Sequence, residues 1–211
     1  MKEMIIATKN AGKANEFKTF LADYQIGAIS LLDLDRDVDD IDETGITFEE
    51  NAAIKVEHIA NMMQRPVLAD DSGIEIDALH GRPGVFSARY AGEPKDDQAN
   101  VEKVLQELEG LEASERTARF VCVLAVAIPG EETIFKRGTC EGVIAFLQAG
   151  ANGFGYDPIF VPSGYDRTMA QLSSDEKNGI SHRKDAIIQL GEWLKNWKQM
   201  GGAYAGSTDY K

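Results

Sequence analysis

Three features of the sequence predict a mixed α/β fold around a mixed sheet. The chain passes from the apolar run "MIIAT" (4–8) through "KNAGK" into a helical pattern, which makes a strand–glycine loop–helix unit. Residues 47–63 carry the clearest helical periodicity, and residues 117–145 read as a long β-hairpin. Local pattern leaves α/β and α+β both open and does not specify the topology.

The elements follow in order. After the first strand, "KANEFKTFLAD" places Phe17, Phe20 and Leu21 at three- and four-residue spacing, with the helix expected to begin at Lys13. "IGAISLLDL" offers a second strand, and "DRDVDDIDETG" an acidic loop. Thr47 followed by Glu50 forms a capping box for the helix that follows. Phe48, Ala52, Val56, Ile59 and Met63 line one face of it, while Asn51, Lys55 and His58 share a neighbouring face. "PVLADD" is the next strand and "IEIDAL" another; "HGRPG" is a turn and "VFSARYAG" an extended piece. "DDQANVEKVLQELEGL" is an amphipathic helix capped near Asp96. The hairpin turns at Pro129-Gly130. "AGANGFGYDPIFVPSGYDRT" is a loop with one short strand, too long to be a passive connection. A last helix, about 183–199, carries Ile187, Leu190, Leu194 and Trp197 on one stripe, and the small polar tail 200–211 is expected to be disordered.

Composition narrows the function. The chain has 211 residues, 43% of them hydrophobic and 27% charged, values of an ordinary soluble protein. No run of eighteen apolar residues is present, so no membrane span is expected, and "MKEMIIATKN" is too short an apolar stretch for a secretory signal. The two cysteines, Cys122 and Cys140, sit in apolar strand patterns without CxxC spacing, and the three histidines are too scattered for a zinc motif. A cytoplasmic protein is expected. A net charge of −13 argues against general binding to nucleic-acid backbones. It leaves room for a small phosphorylated substrate held by locally concentrated lysines and arginines.

Five segments could hold such a substrate. "TKNAGK" (8–13) would offer backbone N–H groups and a lysine at a helix N-terminus, a phosphate-binding geometry without the Walker spacing. "ADDSG" (69–73) sets Asp70 beside Asp71 after an apolar run. Like charges raise each other's pKa unless a cation or strong donors offset them. The pair is therefore either a solvated turn or a place for something positive, such as Mg²⁺ at a strand end. "DETG" (42–45) adds carboxylates that suit a helix N-terminus or a metal equally well. "GFGYDP" (153–158) lets a flat ligand approach the backbone, with Phe154 either stacking on a base or entering the core. "SSDEKNGISHR" gathers Lys177, His182 and Arg183 ahead of the last helix, a solvated loop or an anion site.

Taken together, and in this order, "TKNAGKANE", "DETGITFEENAAIKV", "ADDSGIEIDALHGRPGVFSARYAG", "GFGYDPIF" and "EKNGISHR" resemble the inosine triphosphate pyrophosphatase family, the Ham1-like non-canonical purine NTP pyrophosphatases. The match runs from residue 8 to 183. The resemblance implies an elongated two-lobed structure with a long central mixed sheet flanked by helices and a substrate cleft between the lobes, as one domain over residues 1–199. It also implies a homodimer and Mg²⁺-dependent hydrolysis of dITP, ITP and XTP to the monophosphate and pyrophosphate, which cleanses the nucleotide pool of deaminated purines. A non-catalytic (d)ITP-sensing module and a pyrophosphatase of broader specificity are the alternatives.

Carried over residue by residue, the resemblance gives Thr8, Lys9, Asn10, Ala11, Gly12 and Lys13 to a phosphate-binding loop, with Lys55 reaching the same phosphates. Asp71 would be the catalytic carboxylate and a metal ligand, with Asp70 beside it and Ser72 touching substrate. Glu43 would be the second metal ligand, with adjacent Asp42 not separable from it. Phe154, Gly155, Tyr156 and Asp157 would form the nucleoside pocket, and Lys177, His182 and Arg183 would close over phosphate and base. Lys9 stands where many members have Gly, and Gly179 where Ala is usual. Neither departure removes a catalytic group.

Overall fold

The computed structural model describes residues 1–35 and 38–199, so the expectation for the tail lies outside the described residues. Strand β1, Glu3–Ile6, buries Met4, Ile5 and Ile6 completely. Helix α1 follows over Ala11–Asp23, two residues earlier than its periodicity predicts. The early start comes from Asn10, whose side chain accepts a hydrogen bond from Lys13 N and caps the first turn. Strand β2, Gly27–Ser30, runs parallel to β1 with Ile29 opposite Ile5. It is shorter than predicted because Asp33 folds back onto Ser30 and turns the chain. Helix α2, Phe48–Met63, has the predicted capping box: Glu50 N donates to Thr47 Oγ1, and Thr47 N to Glu50 Oε2.

Strand β3 departs furthest from expectation. The strands expected on either side of "DDSG" are one ten-residue strand, Val67–Ile76, parallel to β1 with Val67 opposite Ile5. The acidic pair is therefore in mid-strand, neither at a strand end nor in a turn. Alternation explains the tolerance: successive residues of a strand point to opposite faces, so Asp70 and Asp71 need not face one another. Each finds its own cation, as shown below.

Beyond β3, a two-residue strand β4, Pro83–Gly84, ends the segment predicted as a turn, and the predicted extended piece at 85–92 holds a turn of 3₁₀ helix at Ser87–Arg89. Ser87 fixes that turn, donating to Gly84 O while accepting from Ile74 N. Helix α3 spans Asp97–Glu107 with Asp96 as its cap. The hairpin is as predicted, β5 over Thr117–Ala127 and β6 over Ile134–Ile144. Strand β7, Phe160–Pro162, pairs antiparallel with β6. A short helix α4, Ser174–Gly179, occupies a segment read as loop, capped by Ser173 and Glu176, and α5 spans His182–Gln199.

The sheet order is β2-β1-β3-β5-β6-β7, with β4 on β3: parallel where β1 meets β2 and β3, antiparallel at β3–β4 and β6–β7. The fold is thus mixed α/β. The chain divides into two compact units, and β3, β5, β6 and α5 each pass from one to the other. Unit 1 comprises Met1–Asp71, Val123–Arg137 and the chain from Ala186; unit 2 comprises Ser72–Cys122 and Gly138–Asp185. Unit 1 buries Phe17, Leu21, Val56, Ile59 and Leu68. The core of unit 2 gathers Ile74, Val104, Leu108, Phe120, Ile144 and Phe160. There the buried Arg116 guanidinium donates to Leu108 O, Ile144 O and Ala145 O, which satisfies it without a carboxylate.

Candidate active site

Unit 1 gathers one set of the predicted residues. The turn from β1 into α1 is held by Thr8 Oγ1, which accepts from Asn10 N at 3.1 Å, and by the Asn10 cap. This fixes Ala11, Gly12 and Lys13 as the first turn of α1, whose early N–H groups have no partners within the helix. From that turn Lys13 Nζ reaches Asp70 Oδ2 at 2.7 Å. Lys9 points elsewhere, pairing with Asp40 at 2.6 Å. From α2, Lys55 Nζ donates to the backbone oxygen of Asp70 at 2.9 Å and lies 3.1 Å from Glu43 Oε1 and 3.5 Å from Asp71 Oδ1.

Asp70, Asp71 and Glu43 thus lie against the ammonium groups of Lys13 and Lys55, and Lys55 alone faces both Asp71 and Glu43. Burial raises the Asp71 pKa above the ordinary carboxylate value; Lys55 opposes the rise, and Glu43 and Asp70 add to it. Burial alone would lower the pKa of Lys55, yet Asp71, Glu43 and Asp70 outweigh it and keep the ammonium charged. The single ammonium of Lys55 faces two carboxylates, Asp71 and Glu43, so negative charge outweighs positive around it before any phosphate arrives.

That donor set fits a small hard divalent cation. Among the described residues no group of three or more His, Cys, Asp or Glu side chains is arranged to hold a metal alone. Mg²⁺ does not need one, since it takes one or two carboxylates and completes its shell with water and phosphate oxygens. Asp71 and Glu43, converging on Lys55, are the residues that would hold it. Asp42 is exposed, and the structure does not bring it to Asp71.

Unit 2 gathers the other set. Phe154 is 76% exposed, so it does not enter the core and is available for stacking. The loop beneath it is tightly built. Asp157, almost fully buried, accepts from Phe154 N at 3.0 Å and from Lys177 Nζ through the same oxygen, so it shapes the loop. The Lys177 ammonium sits 5.5 Å from the centre of the Phe154 ring. Gly155 N donates to Asp97 Oδ2 at 2.8 Å, and buried Tyr156 donates its hydroxyl to Ser87 O at 2.8 Å. His182 stacks on Phe120 with centroids 5.2 Å apart, and Arg183 follows it in the first turn of α5. Ser72 is half-buried in β3, one residue beyond Asp71.

Gly153 explains the glycine before Phe154. Its φ is +84°, and a Cβ there would collide with Asp157 Oδ2 and Lys177 Nζ. Gly153→Ala is expected to cost roughly 1–3 kcal/mol of stability and to weaken nucleotide binding more than turnover. Urea unfolding and steady-state kinetics test this; unchanged stability and KM would sink the account.

Two site residues escaped the sequence reading. Asp97, beside the predicted cap, holds the Gly155 backbone. Asn51 is fully buried next to Asp71, and the only trace of it in the sequence is its position one helical turn before Lys55 on the same face.

The chain is similar to known proteins along nearly its whole length. A model of the Ham1 family matches residues 4–193. A dITP/XTP pyrophosphatase of Oceanobacillus iheyensis is 61% identical over 194 residues, covering 92% of this chain and 98% of that protein. One from Bacillus subtilis is 57% identical over 195 residues, with coverage of 92% and 98%. Among solved structures, the Ham1 protein of Staphylococcus aureus superposes with a TM-score of 0.86 at 48% identity, over 92% of this chain and 99% of that one.

Proposed function

The chain belongs to the Ham1 family, and on that premise we propose that it hydrolyses dITP, ITP and XTP to the monophosphate and pyrophosphate, with Mg²⁺ as cofactor. The observation that carries the reading is the pair of carboxylates, Asp71 and Glu43, on the single ammonium of Lys55, beside Asp70, Lys13 and the N-terminus of α1. A protein that only sensed the nucleotide would have no use for surplus carboxylates beside its phosphates, because like charges repel. Mg²⁺, when bound, offsets charge on the phosphate oxygens.

The chain's own groups do the rest. Asp71 or Glu43 orients a water against the α-phosphorus and takes its proton. Lys13 and Lys55 stabilise charge on the departing pyrophosphate. In unit 2, Phe154 stacks on the base, and Lys177, His182 and Arg183 supply cations and donors to the nucleotide. Hypoxanthine and xanthine present a 6-keto acceptor where adenine has an amino donor, so a backbone N–H or the Arg183 guanidinium selects them. Guanine shares that keto group; its 2-amino group loses solvation without gaining a partner. The enzyme works as a homodimer in the cytoplasm, a reducing compartment that suits the two buried free thiols.

The test is product analysis with dITP, XTP, dGTP and ATP, each with Mg²⁺ and with EDTA. Pyrophosphate and monophosphate from dITP and XTP, only with Mg²⁺ and with dGTP and ATP nearly untouched, is the expected result. Release of single phosphate would move the cut to a terminal bond and overturn the mechanism. Tight dITP binding without turnover would make the protein a sensor.

A further inference from the structure

Among the described residues of unit 1, two side-chain polar atoms are enclosed and lack hydrogen bonds: Asn51 Nδ2 and Asp71 Oδ2. They belong to neighbouring side chains. The Asn51 amide lies near enough to Asp71 to favour its ionised form, yet neither atom completes a hydrogen bond of ordinary geometry. An unsatisfied buried amide or carboxylate oxygen is costly because its lost hydration is not replaced, so two of them side by side call for an explanation.

The other end of Asn51 is firmly placed. Its Oδ1 accepts from Gly45 N at 2.8 Å, and Gly45 lies two residues beyond Glu43. The fit there is close: a Cβ on Gly45 would come within 2.7 Å of Asn51 Oδ1 and 2.6 Å of Glu50 Cβ. With Oδ1 fixed as acceptor, the planar amide must present Nδ2 as donor, so its orientation is set by the backbone. A single buried side chain on α2 therefore touches the loop that carries Glu43 and the carboxylate of Asp71.

We propose that Asn51 is a positioning residue for the hydrolysis: it holds the Glu43 loop through Gly45 N–H and orients the Asp71 carboxylate through Nδ2, a bond that closes when the nucleotide and its cation draw Asp71 into register. This rests on the proposed pyrophosphatase reading and adds a part to it. With Oδ2 fixed by Asn51, Oδ1 is the oxygen left to face Lys55 and the reacting groups. Side chains that orient a metal-binding carboxylate in this way typically contribute about 10- to 100-fold to activity or metal affinity.

Asn51→Asp probes this role, because it keeps an oxygen for Gly45 N–H, removes the donor and adds a buried negative charge beside Asp71. The expected result is a kcat for dITP lower by at least about 10- to 100-fold, with an unfolding midpoint in urea below wild type, since the new carboxylate is buried beside Asp71. Binding of a non-hydrolysable α,β-imido dITP in EDTA should be weaker than wild type for Asn51→Asp, through the added charge, and unchanged for the uncharged Asn51→Ser, showing the lysine cradle intact. In a cycle with Asp71→Asn, the double variant should be no slower than Asp71→Asn alone, since Asn51 acts through Asp71. Wild-type kcat in Asn51→Asp, or losses that multiply in the double variant, would overturn the assignment. Should Asn51→Asp fail to fold, Asn51→Ser, a smaller donor and acceptor, replaces it in the same cycle with the same readings. Wild-type protein that makes no pyrophosphate from dITP would defeat the pyrophosphatase reading instead, and the wild-type control reports that separately.

Discussion

Asp71→Asn binds dITP and barely turns it over. Loss of a positioned general base costs typically 10²–10⁴-fold in rate, and a drop of about that size in kcat is the expected result, with the Kd for a non-hydrolysable analogue changed by only a few-fold. The geometry gives the reason. Asp71 sits in mid-strand, mostly buried, 3.5 Å from Lys55, so an isosteric amide preserves packing and backbone pairing while removing the charge. Binding in EDTA should even tighten slightly, because one negative charge leaves a cluster in which carboxylates outnumber lysines. Isothermal titration beside single-turnover kinetics separates the two quantities. An equal loss in both would mean that Asp71 binds substrate and does not drive the chemistry.

The placement of Asp71 also shows where sequence reading works and where it stops. The helix 48–63, the hairpin and the helix after Asp96 were legible because periodicity and capping are local signals, carried by Thr47 with Glu50 and by Asp96. The "DDSG" stretch misled, since four small or acidic residues look like a turn. What makes them a strand is tertiary: the stretches of β3 on either side pair with β1 and with β4, and Lys13 and Lys55 arrive from two helices to offset the charges. Glu43 and Asp42 were indistinguishable in sequence for the same reason; in the structure Glu43 lies against Lys55 and Asp42 is exposed. Asn51 shows the limit. Its helical spacing from Lys55 was plain, but its meaning depends on Gly45 N and Asp71, partners distant in the chain.

Lys55 should matter for stability as much as for rate. Removing one partner from a buried charge cluster leaves the others uncompensated, a loss of about 3–5 kcal/mol in comparable cases. Lys55→Met is expected near the lower end, about 3 kcal/mol, because Glu43 keeps some contact with solvent. The pH dependence follows from the direction of the shift. The Lys55 pKa is raised in the folded protein above 10.5, so its contribution is fully present below 10.5 and is lost as pH rises through the folded value. Asp71 has a raised pKa too, so it takes up a proton above 3.8 as the solution is acidified, and the need for Lys55 fades there. The gap between wild type and Lys55→Met in urea unfolding should therefore be widest near neutral pH and narrow towards both extremes. Turnover should fall by about 10²–10³, the usual cost of losing one preorganised donor to developing charge. A variant as stable as wild type at neutral pH would show that the carboxylates relax without Lys55, and that their surplus charge is not what the lysine and the cation are there to balance.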